Sequence, residues 1–312
     1  MEKASVIVST YSKSNLNYVL NCFESLRNQS LKPLEIILVL DPIPDLVKFY
    51  KSQISDDVRI IVSDRCGLSN ARNAGVASAT GELMVFIDDD AVADGNWLES
   101  LVRNYRDPNV VGAGGLIKPI WENRCPSWFP DELNWAVGCS YKGLPESKSQ
   151  VRNPIGCNMS FRKLVIEKVG YFRSDVGRYG KILLGGEEPE LSLRILNAIP
   201  NARIVYDPLA VVHHVVKKDR ARFSYLFKRS FFEGISKALI FSQRQGSQQS
   251  FSVETQYLRY LFVKAIPSRL KEFYKPQSLC QLLVLFFSTI MVFLGFAIGK
   301  LGMQKTRRSF GK

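Results

Sequence analysis

The sequence predicts an α/β fold on a mixed, mainly parallel sheet, followed by C-terminal amphipathic and membrane-embedded helices. Three observations carry this reading. Short β-branched runs alternate with helix-period segments through the first ninety residues. One of those runs ends in three adjacent carboxylates, Asp88, Asp89 and Asp90. Finally, the 24 residues between Lys275 and Lys300 carry no charge, where a membrane span needs about 20.

The elements follow in order. ASVIVST (4–10) is a short β-branched run and reads as a buried strand. NYVLNCFESLRNQS (17–30) has helical spacing. LEIILVLD (34–41) is a second strand, PDLVKFYKSQ (44–53) a helix and VRIIVSD (58–64) a third strand. GLSNARNAGVASAT (67–80) reads as a helix bearing small residues, capped by Ser69 or Asn70. ELMVFIDDD (82–90) is the fourth strand. From about Gly112, GAGGLIKPIWENRCPSWFPDELNW is so rich in Gly, Pro and Trp that it reads as a loop-heavy wall. VRNPIGCNMSFRK (151–163) suggests a turn and then a strand. LLGGEEPELSLRILNA suggests a glycine turn and a helix starting near Glu188 or Pro189. ARIVYDPLAVVHHVV (202–216) gives one strand or two. The implied organisation is 1–111 and 112–240 as two halves of one domain, 250–275 as an interfacial segment interrupted at Pro267, 276–299 as the apolar segment, and 300–312 as a basic tail.

Composition bounds the function. At 312 residues and 46% hydrophobic, the chain can form one sizeable domain with an appendage, or two small ones. Its six cysteines are scattered with no C-x-x-C pair. That argues against a zinc site or disulfide framework and for a reducing compartment. The first residues run straight into a strand and lack a signal-peptide pattern. The net charge is +13, of which +9 lies in residues 255–312. Basic charge beside an apolar segment points to lipid headgroups rather than nucleic acid. The charges flank that segment on both sides, so they do not orient it, and a re-entrant segment bending at Gly295 stays open beside a single span.

In parallel α/β sheets, ligands bind beyond the carboxyl ends of the strands. Thr10, Tyr11, Asp41 and the three aspartates all fall there. No G-x-G-x-x-G or G-x-x-x-x-G-K-[ST] occurs. Strand alternation places Asp88 and Asp90 on one face, with Asp89 turned away. Carboxylates suit a hard divalent cation such as Mg²⁺ or Mn²⁺, and a histidine, His213 or His214, can join them; alternation lets only one face the site, and His214 is favoured. Glu187 and Glu188 sit at a loop-to-helix junction, where a carboxylate can act as general base. Arg220 is a cation available to a leaving diphosphate.

VIVSTYS, the strand ending at Asp41, GLSNARNAG, VFIDDDA and GEEPEL occur in the order found in the family 2 glycosyltransferases, which have the GT-A nucleotide-sugar-binding fold. The chain resembles that family over residues 4–235. FIDDDAVAD, VRNPIGCNMSFR, GEEPELSLRI, PLAVVHHV and KRSFFEGISKA are similar to the archaeal glucosyl-dolichyl phosphate glucuronosyltransferases. The resemblance implies that Thr10, Tyr11, Asp41 and Arg72 bind the donor nucleotide of a UDP-sugar. It implies Asp88 and Asp90 as the D-x-D motif, with Asp90 in direct contact with Mn²⁺ or Mg²⁺ and His214 completing the metal shell. Glu188 matches the catalytic base, usually Asp in an E-D pair, which leaves Glu187 as the alternative. Asn158 and Met159 would border the acceptor pocket. Arg152, Arg162 and Arg178 are candidate partners for a uronic-acid carboxylate. The implied reaction is inverting transfer to a polyprenyl- or dolichyl-phosphate-linked sugar in glycan assembly for protein N-glycosylation, at the membrane with the catalytic part facing the cytoplasm. The Q-x-x-R-W motif of processive synthases is absent. The competing readings are a transferase making another lipid-linked or cell-surface polysaccharide, a nucleotidyltransferase on a similar scaffold, and an inactive membrane scaffold.

Overall fold

The computed structural model describes residues 2–175, 183–242 and 252–310; Arg178 lies outside them. By contacts the chain divides into two compact units. The first comprises Met1–Ile120, Pro145–Gly180 and Glu187–Val215. The second comprises Trp121–Leu144, Lys181–Gly186 and Val216–Lys312.

The first unit opens with β1 (Ala4–Thr10), α1 (Leu16–Arg27), β2 (Glu35–Leu40), α2 (Pro44–Gln53), β3 (Val58–Val62), α3 (Leu68–Ser78) and β4 (Leu83–Asp88). The strands lie in the order β3-β2-β1-β4 and are parallel. This is the arrangement the strand–helix alternation predicts, because a parallel neighbour needs a crossover. After β4 come β5 (Ala91–Ala93), α4 (Trp97–Val102), β6 (Val110–Trp121), β7 (Ser149–Val151), β8 (Asn158–Arg162), α5 (Lys163–Val169), α6 (Glu187–Ala198) and β9 (Arg203–Val216). β8 runs antiparallel to β4, opposing Ile87 to Asn158, and β6 pairs antiparallel with β8. Ile7, Val39, Val76, Phe86, Phe161, Leu191 and Ile195 close one core between the sheet and its helices. α6 thus contributes the apolar stripe that its spacing predicts, which fixes where its first turn lies.

Two local expectations are corrected. Of the stretch from Gly112, residues 122–130 hold neither helix nor strand, as expected, whereas 112–121 are not loop but part of the twelve-residue strand β6. Glycine is used there for close approach: a Cβ on Gly115 would lie 1.9 Å from the Ala210 carbonyl oxygen, and one on Gly112 would lie 2.8 Å from the Phe161 ring. α3 is not capped by Ser69 or Asn70. Gly67 holds the N-cap position, Ser69 is buried within the helix, and the Asn70 amide bonds back to the Cys66 carbonyl (2.9 Å).

The second unit carries α7 (Phe223–Ser242), α8 (Ser252–Tyr260), α9 (Ile266–Lys271) and α10 (Pro276–Phe310). A π-helical turn, Leu261–Ala265, joins α8 to α9. Pro267 therefore falls in the first turn of α9, where its missing N–H costs little. Arg269, one of the cations ahead of the apolar segment, grips Glu132 through two hydrogen bonds (2.7 and 3.0 Å). Residues 276–302 of α10 are long and apolar enough to cross a membrane, and only 22% of that stretch's apolar window is buried within the chain. A soluble core helix would be covered on most sides, so α10 is a candidate span.

α10 runs unbroken through Gly295, so that glycine marks no bend. It marks a contact. GFAIG in α10 sets Gly295 and Gly299 four residues apart, against Gly234 and Ala238 in α7. A Cβ on Gly295 would lie 1.9 Å from the Phe231 carbonyl oxygen, and one on Gly234 would lie 2.0 Å from that of Val292. Small residues at this spacing let two helix backbones touch, the device of membrane helix pairs. Gly295→Leu should force the helices apart at a cost of about 1–3 kcal/mol, seen as a lower melting temperature in detergent. An unchanged melting temperature would mean that the seam contributes nothing. α7 in turn holds residues 183–186: the Gly185 amide donates to Ser236 Oγ (3.0 Å) and Arg229 reaches the Leu183 carbonyl (3.5 Å).

Candidate functional site

Three strands and one helix of the first unit converge on the carboxylates. β4 stops at Asp88, so strand alternation does not reach Asp90; a turn carries Asp89 and Asp90 into β5. The three aspartates consequently separate into three environments. Asp89 is buried and accepts a hydrogen bond from the Asn15 amide (2.8 Å) just ahead of α1. Burial, and then the charge of Asp90, push its carboxyl up to about 7. Asp90 is also buried, and its Oδ1 lies 3.2 Å from His214 Nε2. Asp88, half-buried, joins Cys157 and His214 in a triangle whose donor atoms all lie within 4.8 Å of one another.

His214 reaches this position through register. β5 runs antiparallel to β9, with Ala91 opposite His214 and Val92 opposite His213. Burial alternates along β9, so His214 is enclosed while His213 faces outward and pairs with Asp94 (3.0 Å). The donor set passes a chemical test for a divalent cation. It has carboxylate oxygens and an imidazole, and the Asp90–His214 spacing of 3.2 Å is that of neighbouring ligands about 2.1 Å from one ion.

The second cluster forms at the start of α6. Glu187 is buried, whereas the Glu188 side chain is 17% exposed and so can meet a substrate. Arg72, buried on α3, places Nη1 3.1 Å from Glu187 and 3.5 Å from Glu188, and its guanidinium stands over the Phe172 ring at 5.5 Å. A Cβ on Gly156 would lie 2.1 Å from Glu188 Oε1, so only glycine admits the carboxylate there. Burial, followed by the charge of Glu187, pushes Glu188 up to about 7, with Arg72 holding it back. Asp88 adds to the upward push, which ties the two clusters electrostatically.

The remaining expected residues are placed as follows. Asp41 follows β2 and accepts from the Gly67 amide (3.2 Å), bracing the start of α3; burial raises its pKa and that amide offsets the rise. Thr10 is buried at the end of β1, and Tyr11 beside it is 67% exposed. Arg220 belongs to the second unit, where it donates to the Val137 carbonyl (3.4 Å). Arg152 is buried with its Nε on Asn153 (2.9 Å). Arg162 is at the wrong end of the sheet for a donor carboxylate: it pairs with the first residue of β4, Leu83, and is held by Glu2 and the carbonyls of Val110 (2.8 Å) and Tyr105 (2.9 Å).

Asn158 and Met159 are not brought to an acceptor surface. Met159 lies in the core. Asn158 is fully enclosed; it accepts from the Trp97 indole (2.9 Å) and donates to the carbonyls of Ala210 (2.9 Å) and Leu116 (3.2 Å). Its amide cross-links α4, β6 and β9 behind the site. Asn158→Ala should cost about 1–3 kcal/mol for each partner left unsatisfied, seen as a fall in melting temperature; unchanged stability would show that water replaces the amide.

Sequence reasoning missed Asn15, Gly156, Cys157 and the Arg72 clamp on the two glutamates. Each is distant in sequence from the acid it serves. GLSNARNAG and VRNPIGCNMSFR contain Arg72, Gly156 and Cys157, whereas no local pattern marks Asn15.

Residues 5–170 match the profile of glycosyl transferase family 2. The chain is 33% identical over 309 residues to a glucosyl-dolichyl phosphate glucuronosyltransferase of Haloferax volcanii, covering 96% of both proteins. The chain belongs to glycosyltransferase family 2. It is therefore a glycosyltransferase, and its sheet is the GT-A scaffold. Other relatives are more distant. The succinoglycan biosynthesis protein ExoM of Rhizobium meliloti is 24% identical over 211 residues, 67% of this chain and 64% of that one. Among solved structures, the mannosyltransferase PcManGT of Pyrobaculum calidifontis, in complex with GDP-Man and Mn²⁺, superposes with a TM-score of 0.60 at 18% identity, over 96% of this chain and 87% of that one. GalNAc-T7 with UDP, GalNAc and Mn²⁺ gives 0.54 at 15% identity, over 85% and 57%. At these identities the likeness is one of fold.

Proposed function

We propose that this chain is an inverting, metal-dependent transferase that moves glucuronic acid from a UDP-sugar to a polyprenyl- or dolichyl-phosphate-linked sugar during glycan assembly for protein N-glycosylation. The observation that carries the chemistry is Glu188: a carboxylate raised to about 7, reachable from outside and aimed by Arg72 and Gly156 beside Asp88. A general base works best with a pKa near the operating pH. Glu188 takes the proton of an acceptor hydroxyl. That oxygen bonds to the anomeric carbon from the face opposite the nucleotide, and the bond from that carbon to the diphosphate oxygen breaks, releasing UDP. Glu188 then returns its proton to solvent. Arg72 keeps the base oriented and limits how far Glu187 raises its pKa. Asp88, Asp90 and His214 would hold the divalent cation, Mn²⁺ or Mg²⁺, which when bound neutralises charge on the diphosphate. Thr10, Tyr11 and Asp41, at the strand ends, suit the nucleotide.

The donor and acceptor rest on the Haloferax relative's name and on α10, which would keep the active site at a bilayer where a lipid-linked acceptor resides, with the catalytic part on the cytoplasmic side. The test is a donor screen. Purified full-length protein, Mn²⁺ or Mg²⁺, several UDP- and GDP-sugars and a short polyprenyl-phosphate-linked glucose are combined, and free UDP, diphosphate and glycolipid are measured. Transfer from UDP-glucuronic acid with inversion at the anomeric carbon is expected. Transfer only from another sugar overturns the donor assignment. Diphosphate release instead of UDP points to nucleotidyl transfer, and no transfer from any nucleotide sugar defeats the reading.

A further inference from the structure

The triangle beside Asp88 contains a donor that neither carboxylate nor imidazole chemistry needs. Cys157 directly precedes β8, and the β4–β8 register that opposes Ile87 to Asn158 sets its thiol next to Asp88. Cys157 and His214 are both buried, and Asp88 closes the third corner from the half-exposed side. Ligands of one tetrahedral ion, at about 2.3 Å for sulfur and about 2.1 Å for oxygen or nitrogen, lie about 3.4–3.6 Å apart. A triangle with sides up to 4.8 Å closes on an ion with side-chain movements of up to about 1 Å. Cys22 provides an internal contrast. It too is buried near the aspartates, whose charges add to a burial-driven rise in its pKa, yet it belongs to no such triangle.

We propose that Cys157 is a sulfur ligand of the divalent cation held by Asp88 and His214, making this a mixed oxygen, nitrogen and sulfur site that binds thiophilic ions in preference to Mg²⁺. The proposal rests on the metal-dependent reading above. On binding, the thiol proton leaves to water as the sulfur–metal bond forms. Thiolate and imidazole favour the later divalent ions, whereas an all-oxygen site suits Mg²⁺. Zn²⁺ and Cd²⁺ should therefore displace Mn²⁺ from the protein.

The experiment titrates Cd²⁺ into the purified full-length protein and follows two signals: the ultraviolet thiolate-to-cadmium charge-transfer band, and release of bound Mn²⁺ by electron paramagnetic resonance. One band per chain is expected, rising as Mn²⁺ is released. It should be lost in Cys157→Ser, weakened in His214→Ala, and retained in Cys22→Ala. If Cys157→Ser does not fold, Cys157→Ala takes its place. A band that survives the Cys157 substitution at full strength overturns the proposal, as does Mn²⁺ displacement with no band; in both cases metal binding itself stands. Failure of both Mn²⁺ and Cd²⁺ to bind overturns the metal-dependent reading and the proposal with it.

Discussion

Glu188→Gln is expected to lower kcat by about 10²–10⁴-fold, the range general-base catalysis supplies, while nucleotide binding persists. Glutamine keeps the shape and the Arg72 contact but cannot accept a proton. A loss smaller than about tenfold would remove Glu188 from the role; the matching substitution at Glu187, whose side chain is nearly closed off, would then be the next to measure. The pH profile tests the same assignment in the unaltered protein. Because Glu188 is raised to about 7, it is protonated and idle below that value. kcat/KM should therefore climb with pH through about 7 and level off above it. The sign for stability is opposite. The folded state holds this proton more tightly than the unfolded chain, whose ordinary value is 4.5, so ionising Glu188 costs stability as pH rises between the two. A profile flat from pH 5 to 8 would contradict the base assignment.

His214→Ala should weaken Mn²⁺ binding by at least about 10–100-fold, the scale on which even outer-shell partners of a metal act. The loss should appear as a raised Mn²⁺ activation constant and as free Mn²⁺ in the resonance spectrum. His213→Ala should leave both unchanged, because His213 faces outward toward Asp94. Equal effects from the two histidines would mean that the β5–β9 register does not hold in solution.

The parts of this molecule that local sequence patterns can express were legible. β-branched runs announce β1 to β4, since a buried strand needs nothing beyond its own residues to declare itself. A period of two lets only one of His213 and His214 face inward; the β5–β9 register, not the sequence, makes it His214. Patterns mislead where a residue is chosen for something distant. Gly112, Gly114 and Gly115 look like loop residues, yet they are small because Phe161, Pro154 and Ala210 press on β6. Asn158 looks like a ligand-facing polar residue, yet its hydrogen bonds are used up inside. D-D-D looks like one strand-end motif, but β4 ends at the first acid, and long-range partners then give each acid its own surroundings. Arg72 and Glu188 are 116 positions apart, and no local period connects them.

The glycine seam between α7 and α10 bears on how freely α10, a candidate membrane span, could be exchanged during evolution or engineering. A plain tether can be swapped for any apolar helix of similar length. This one cannot, because α10 meets α7 backbone to backbone, and α7 holds the turn that leads by direct chain connection into Glu187 and Glu188. A graft lacking the Gly295 and Gly299 spacing would leave α7 without its partner. α10 and the face of α7 that receives it therefore have to be inherited together.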